Sequence, residues 1–413
     1  MKPLTVNFAR MKETIEYSAK VGEIPNQGLR RLALSKEDKT MREQLREWMI
    51  DAGLEVRIDD FGNMYGRRKG QTNFDPLVIG SHLDTQPNGG RFDGVLGVLT
   101  ALEAIRTLND YEIETYRPIE IVNFTNEEGA RFEPPLLGSG GLTGVFSKEY
   151  VYNRQDRDGK FFKNELAEID FKGGETNRLQ RAHAFLELHI EQGPVLENEG
   201  VTIGAVEGIK GMSWLELKVT GEGGHAGPTP MPLRKDAMMA AANIISHIEQ
   251  KSNVFDNDLT VTVGRLDVKP GAVNCIPEEI VFSVDVRHLD DEVRKKFIDE
   301  MKVEMQDMAT DRKVELETET LWEVNTSTFH EGIIDQVSKS AERLGYSNRR
   351  LYSGAGHDAK YMNAFCATGM IFLPSVDGKS HVESELTLDE DIEKGANVLL
   401  DTMIHVTDNN EQL

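Results

Sequence analysis

Three histidines, an aspartate and a pair of glutamates stand where short apolar runs end. His82 comes just after Leu77-Val78-Ile79-Gly80, and Glu127-Glu128 follow the alternating run Ile119-Glu120-Ile121-Val122-Asn123-Phe124. His189 closes the run that starts at Ala184, and His381 comes after Met370-Ile371-Phe372-Leu373. Asp93 lies in Gly89-Gly90-Arg91-Phe92-Asp93-Gly94, where a helix-like segment begins. Imidazole nitrogens and carboxylate oxygens together are the donor set of divalent transition ions. Adjacent carboxylates such as Glu127-Glu128 are costly to ionise together unless cations hold them.

Each element alone has a plainer reading. His82-Leu83-Asp84 is equally a surface histidine beside a turn aspartate, and Asp93 an ordinary helix N-cap. The glutamate pair is equally a solvated acidic loop near Arg131. Together, at the strand ends of one sheet, they predict a metal-assisted hydrolase. His82, Asp93, Glu128, His189 and His381 supply five protein ligands. If Asp93 bridges, each of two ions receives three protein ligands and keeps an open position, the pattern of catalytic zinc. Mixed nitrogen and oxygen ligation suits Zn2+, with Mn2+, Co2+ or Ni2+ as substitutes. Asp84 can accept the second ring N–H of His82 and fix its tautomer. Glu127 is left over as the unliganded base for a water at the site.

Positioning these groups requires strands that end on one side of a sheet. Helical spacing over Lys36–Ala52 (Met41, Leu45, Trp48, Met49) precedes an extended stretch, Leu54-Glu55-Val56-Arg57-Ile58. A buried strand Leu77–Gly80, a buried helix Gly94–Leu108, the strand through Ile121 and a strand Ala184–Ile190 follow. This alternation predicts an α/β fold with a largely parallel sheet, whose sites gather at the carboxyl ends of strands. From Gly211 the pattern changes to a half-exposed strand Trp214–Thr220, helix Arg234–Lys251, strands Leu259–Val263 and Glu279–Val286, helix Asp291–Arg312 and strand Val314–Thr320. That order reads as an α+β open-faced sandwich. The α/β pattern resumes with helix Gly332–Leu344 and strand Gly369–Leu373. Residues 212–325 are therefore expected to be a domain inserted between 1–211 and 326–413, with a frayed polar tail after Thr407.

At 413 residues two domains are the default, and 39% hydrophobic residues is ordinary globular composition. No apolar stretch approaches the roughly 18 residues of a membrane span, and Met1-Lys2-Pro3-Leu4-Thr5-Val6 is not the start of a signal peptide. Cys275 and Cys366 sit among apolar neighbours and are expected as buried thiols in a reducing cytoplasm. A net charge of −23 argues against nucleic-acid binding, and it means that an anionic substrate needs a locally placed cation. Arg287 is a candidate: it follows Ile280, Phe282, Val284 and Val286 on the opposite face of their strand, in phase with Asp285, which could equally be its plain surface partner. His225 occupies a glycine-rich turn, Gly223-Gly224-His225-Ala226-Gly227, which alone reads as solvent-facing. His183, His247, His288, His330 and His405 have no comparable context and read as structural or solvated.

GSHLDT, GGRFDG, TNEEGARF, ELHIEQGPVLE, GHAGPTPMPLRKDA, GAVNCIPEEIVFSVDVRH and SGAGHDA resemble the amidase, hydantoinase/carbamoylase branch of the M20 metallopeptidase superfamily, between residues 5 and 405. That branch includes N-carbamoyl-L-amino-acid hydrolases, β-ureidopropionases and allantoate amidohydrolases. The resemblance implies an M20-type catalytic domain, a mostly parallel sheet between helices, with the inserted α+β sandwich serving dimerisation and as a lid. It implies one metal on His82, Asp93 and His189 and another on Asp93, Glu128 and His381. Asp84 would orient His82, and Glu127 would be the general base. His189 marks the branch, because peptidase relatives more often place a carboxylate there. The resemblance also gives Arg287 the substrate carboxylate and His225 the developing oxyanion, reached from the neighbouring subunit of a homodimer. Asn274, also in trans, would complete the polar lining with Gln192, Gly356 and His357.

The implied reaction is hydrolysis of an N-carbamoyl amino acid, a small ureide with a carboxylate, to amino acid, CO2 and ammonia. Allantoate is the alternative substrate, and an aminoacylase or dipeptidase the more distant one, against which His189 and Glu191-Gln192-Gly193-Pro194 speak. A catalytically silent binding module is the reading from another class, and it predicts a damaged ligand set, whereas all five ligands and the base are present. One departure stands out. The last histidine of the family is usually followed by Ser-Pro or Asn-x before the glutamate, whereas here Val382-Glu383-Ser384 precede Glu385 and leave Glu383 without a role.

Overall fold

The computed structural model describes residues 4–408, so residues 409–413 of the expected polar tail lie outside the described residues. The chain divides into two compact units, Met1–Gly208 with Thr328–Leu413, and Ile209–Ser327. Among the described residues, no helix is long and apolar enough to cross a membrane.

The first unit is built on a nine-stranded sheet. Its centre is four parallel strands in the spatial order Ile119–Phe124, Leu77–His82, Ala184–Ile190 and Ala367–Leu373. All four are buried along almost their whole length, which is why they read as continuous apolar runs. The flanks are antiparallel: Glu55–Ile58 pairs Met64–Arg68, which pairs Ile119–Phe124, and Ile203–Ile209 pairs Ala367–Leu373. The sheet is thus mixed, parallel at its core and not over most of its width. The outer strands Met64–Arg68, Ile203–Ile209 and Asn348–Ser353 were not expected from the sequence, nor were helices Phe8–Lys20 and Asp389–Asp408. The helix Lys36–Asp51 follows local rules: Ser35 caps Asp38 N–H at 3.2 Å, and Met41, Leu45 and Met49 are buried.

Two fully buried arginines tie down the loops that leave the central strands. Arg42 pairs with Asp38 (Nε to Oδ2, 2.8 Å) and donates to Gly62 O at 2.8 Å and Thr125 Oγ1 at 3.3 Å, at the start of the glutamate loop. Arg31 donates to Leu83 O at 2.8 Å and Ser18 O at 3.1 Å, and burial lowers its guanidinium to about 10. A buried cation tolerates this only when its donors are satisfied, so both loops are held by hydrogen bonds that water cannot replace.

The second unit is an antiparallel five-stranded sheet, in the order Leu266–Lys269, Glu279–His288, Gly211–Thr220 and Glu315–Val324, with Thr260–Thr262 also on Glu279–His288. Helices Ala237–Phe255 and Asp291–Asp311 cover one face, burying Leu217, Ile280 and Phe282 against Ile244, Phe297 and Met301. The first helix starts later than its apolar pattern because Asp236 caps Met239 N–H at 3.0 Å. A separate two-stranded ribbon pairs His225 with Cys275 and Gly224 with Ile276. Both cysteines are free, and they are half-buried instead of buried.

Candidate metal centre

The parallel strands deliver their histidines to a common point. His82 is the last residue of its strand and His189 the last but one of the next. The His82 Nδ1 lies 2.9 Å from the backbone carbonyl of Asp84, and the His189 Nδ1 lies 2.9 Å from that of Ile190. A carbonyl accepts only, so both rings donate through Nδ1 and turn Nε2 towards the site, where His189 Nε2 also lies 3.1 Å from the Gly94 N–H. This differs from the expected pairing, in which the Asp84 carboxylate meets the His82 ring. That carboxylate instead accepts the backbone N–H groups of Glu127 and Glu128, each at 3.3 Å, and so holds the glutamate loop.

Asp93 is not a helix cap. Gly94 takes that position with φ +64°, and the Asp93 side chain turns away from the helix Val95–Asp110. Its Oδ1 lies 3.1 Å from His189 Nε2 and 3.7 Å from His82 Nε2, while its Oδ2 lies 3.3 Å from His381 Nε2. His381 Nε2 is 3.5 Å from Glu128 Oε2. Among the described residues three groups of donor atoms lie within 4.8 Å of one another: His82–Asp93–His189 and Asp93–Glu128–His381, which share Asp93, and Glu187–His189–His357. Glu127 belongs to none of them: its Oε2 lies 3.4 Å from His82 Nε2.

The charges explain what such an arrangement is for. His82 is lowered to about 4 by burial. Burial acts the same way on His189, but Asp93 outweighs it and raises that ring to about 9, while Glu128 and Asp93 raise the half-exposed His381 to about 10. Burial pushes Glu128 up to about 8, and burial with Glu128, Asp358, Asp93 and Asp84 around it raises Glu127 far above the usual carboxylate range. Protons are thus held where divalent cations would relieve the same repulsion. The His82 Nε2 is buried without a hydrogen bond. The donor set fits divalent metal ions.

Further residues support the site. Gln86 Nε2 donates to Glu128 Oε2 at 2.7 Å, and Gln192 Nε2 donates to Asp93 Oδ2 at 2.7 Å. Ser380 and Glu385 also reach the Asp93 turn. Ser380 and Glu385 flank His381 in sequence, yet nothing local separates a supporting glutamate from the neighbouring Glu383. Glu383 instead accepts from Asn26 Nδ2 at 2.8 Å. Arg131 does not enter the site either, being held by Asp156 and Glu165. His357 is buried with its ring 4.4 Å from that of His189 and its Nε2 2.9 Å from Ser353 Oγ, and Gly356 precedes it in the same loop. His225, Asn274 and Arg287 belong to the second unit. His225 and Asn274 line one cleft of about 330 Å3 there, and Arg287 pairs with Asp285 at 2.5 Å.

Gly94 is required twice over, by its φ of +64° and by space, since an added Cβ would lie 2.2 Å from His82 Nε2. Gly94→Ala is expected to displace that ring and weaken metal uptake by about 10–100-fold. Equilibrium dialysis with Zn2+ reads this directly, and wild-type affinity would contradict it.

The family model for peptidase family M20/M25/M40 matches residues 78–405. The N-carbamoyl-L-amino-acid amidohydrolase of Rhizobium meliloti is 39% identical over 405 residues, covering 98% of this chain and 97% of its own. The allantoate amidohydrolase of Bacillus subtilis is 33% identical over 392 residues, covering 94% and 95%. The crystal structure of an amidase of the hydantoinase/carbamoylase family from Burkholderia vietnamiensis matches with a TM-score of 0.95 at 41% identity, covering 99% of each chain.

Proposed function

The chain belongs to peptidase family M20/M25/M40 and to its hydantoinase/carbamoylase amidases, and from that premise we propose that it hydrolyses the ureido C–N bond of N-carbamoyl amino acids to amino acid, CO2 and ammonia. The observation that carries this reading is the division of Asp93, with Oδ1 facing His82 and His189 and Oδ2 facing His381, beside a Glu127 that joins neither group. His82, Asp93 and His189 would hold one divalent ion, and Asp93, Glu128 and His381 a second, with Zn2+ the best match and Mn2+, Co2+ or Ni2+ possible. When bound, the ions supply Lewis-acid polarisation and acidify water.

Glu127 takes the proton of the attacking water and returns it to the leaving nitrogen. Asp84 keeps Glu127 and Glu128 in place through their backbone N–H groups. Arg287, with its plane set by Asp285, takes the substrate carboxylate, the cation that a chain of net charge −23 must place deliberately. Gln192, Gly356 and His357 contribute to the polar lining. His225 and Asn274 act from the second unit of a partner subunit, where His225 stabilises the oxyanion. Their shared cleft and the exposed Met231, Leu233 and Val273 on nearby segments support a partner-facing surface and a homodimer. Two free thiols fit the reducing cytoplasm.

Ammonia release from N-carbamoyl-β-alanine, N-carbamoyl-L-methionine and allantoate, measured side by side, tests the reading. A carbamoyl amino acid is expected to be turned over fastest. Turnover of allantoate alone would favour the second reading, supported by the allantoate amidohydrolase at 33% identity. Cleavage of N-acyl amino acids or dipeptides with no ureide turnover would overturn both.

A further inference from the structure

We propose that Glu385 is the positioning residue of the metal centre, a buried buckle that fixes the shared Asp93 and ties it to the His381 loop. Glu385 is 5% exposed. Its Oε1 accepts the backbone N–H groups of Phe92 and Asp93, both at 3.1 Å, and its Oε2 accepts the Ser380 hydroxyl at 2.8 Å. Ser380 Oγ also lies 3.0 Å from Asp93 Oδ2. One carboxylate therefore holds the main chain that carries Asp93 and, through a single hydroxyl, the residue next to His381. These hydrogen bonds join segments 292 residues apart in the chain.

Two details separate this from an ordinary buried cap. The first is the Ser380 hydroxyl, which has one proton and two carboxylates to serve. Held by Glu385, that proton stays off Asp93 Oδ2, which accepts the Gln192 amide at 2.7 Å and keeps its remaining lone pair for a cation. The second is the fit at Gly90, where an added Cβ would come within 2.2 Å of the Glu385 carboxyl carbon. The Asp93 turn closes onto Glu385 with no room for a side chain between them.

The proposal rests on Asp93 being shared by two ions, and it makes a prediction that this reading alone does not. Because Glu385 acts through the shared ligand, its loss should weaken both ions together. Co2+ titration of the metal-free protein, followed by visible absorption, reads the affinity and number of sites without turnover. Glu385→Ala is expected to lower both affinities by about 10–100-fold. Glu385→Gln keeps an oxygen for the two N–H groups, but its amide donates to Ser380 and turns that hydroxyl onto Asp93 Oδ2, so it should lose affinity at both sites by clearly less than Glu385→Ala. Gly90→Ala, which pushes on Glu385 without removing a hydrogen-bonding group, should reproduce the Glu385→Ala loss. Thermal unfolding of each metal-free variant identifies any that fails to fold, and Gly90→Ala and Glu385→Gln then carry the comparison.

Wild-type affinity at both sites in a folded Glu385→Ala or Gly90→Ala protein would overturn the proposal and leave the two-ion reading intact. So would a loss confined to one site, or equal damage from Gln and Ala at position 385. A wild-type protein that takes up fewer than two ions would overturn the two-ion reading itself, and the proposal with it.

Discussion

Glu127→Gln is expected to lower kcat by about two to four orders of magnitude while the metal content stays at the wild-type level. The glutamate is buried, lies 3.4 Å from the His82 Nε2, and stands outside both groups of candidate ligand atoms. Burial and the charges of Glu128, Asp358, Asp93 and Asp84 raise its proton affinity. Such a carboxylate accepts a proton from water only while ionised, the state that cations on Glu128 and Asp93 would restore by offsetting those charges. Glutamine keeps the size and loses the base. Steady-state kinetics and elemental analysis of the same preparation check both halves. Wild-type turnover would remove Glu127 from the mechanism, and a parallel loss of metal would make it a ligand.

Asp93→Asn is expected to go further and remove both ions, taking turnover down at least as far as in the Glu127 variant. The two carboxylate oxygens face different histidine sets, His82 and His189 on one side and His381 on the other. An amide in that place presents one oxygen and one N–H group, so one side must meet a donor where it needs a lone pair. Glu128→Gln touches only the second group and should cost at most one ion per chain. Elemental analysis distinguishes the two variants: equal losses would show that Asp93 is not shared. The adjacent glutamates thus have separable roles, with Glu128→Gln losing mainly metal and Glu127→Gln mainly rate.

The strand-end setting of several candidate residues could be read from the sequence. His82, His189 and the glutamate pair lie at strand ends, and the strands Ala184–Ile190 and Ile119–Phe124 are buried throughout, as their apolar runs require. The inserted pattern of strands and helices from Gly211 corresponds to a compact unit, Ile209–Ser327. What could not be read was mostly polar and marginal. Strands Met64–Arg68 and Ile203–Ile209 carry too little alternation to stand out, and they exist because neighbouring strands offer them edges. Asp93 preceding a helix has the signature of an N-cap, and only the φ of Gly94 shows that the cap lies one residue later.

The sequence by itself determined the donor types, the strand-end places of His82, His189 and the glutamate pair, and the family. Those are local properties, set by side-chain chemistry and by a periodicity of two or 3.6 residues. Tertiary structure decided which oxygen of Asp93 faces which histidine. It decided that the His82 ring meets the Asp84 carbonyl and leaves the Asp84 carboxylate to the glutamate loop. It also decided that Glu385, and not Glu383, supports the centre. These outcomes depend on hydrogen bonds between segments far apart in the chain, such as Ser380 to Asp93 across 287 residues. No spacing rule reaches that distance, and directional bonds of that kind exist only once the packed sheet has brought its loops together.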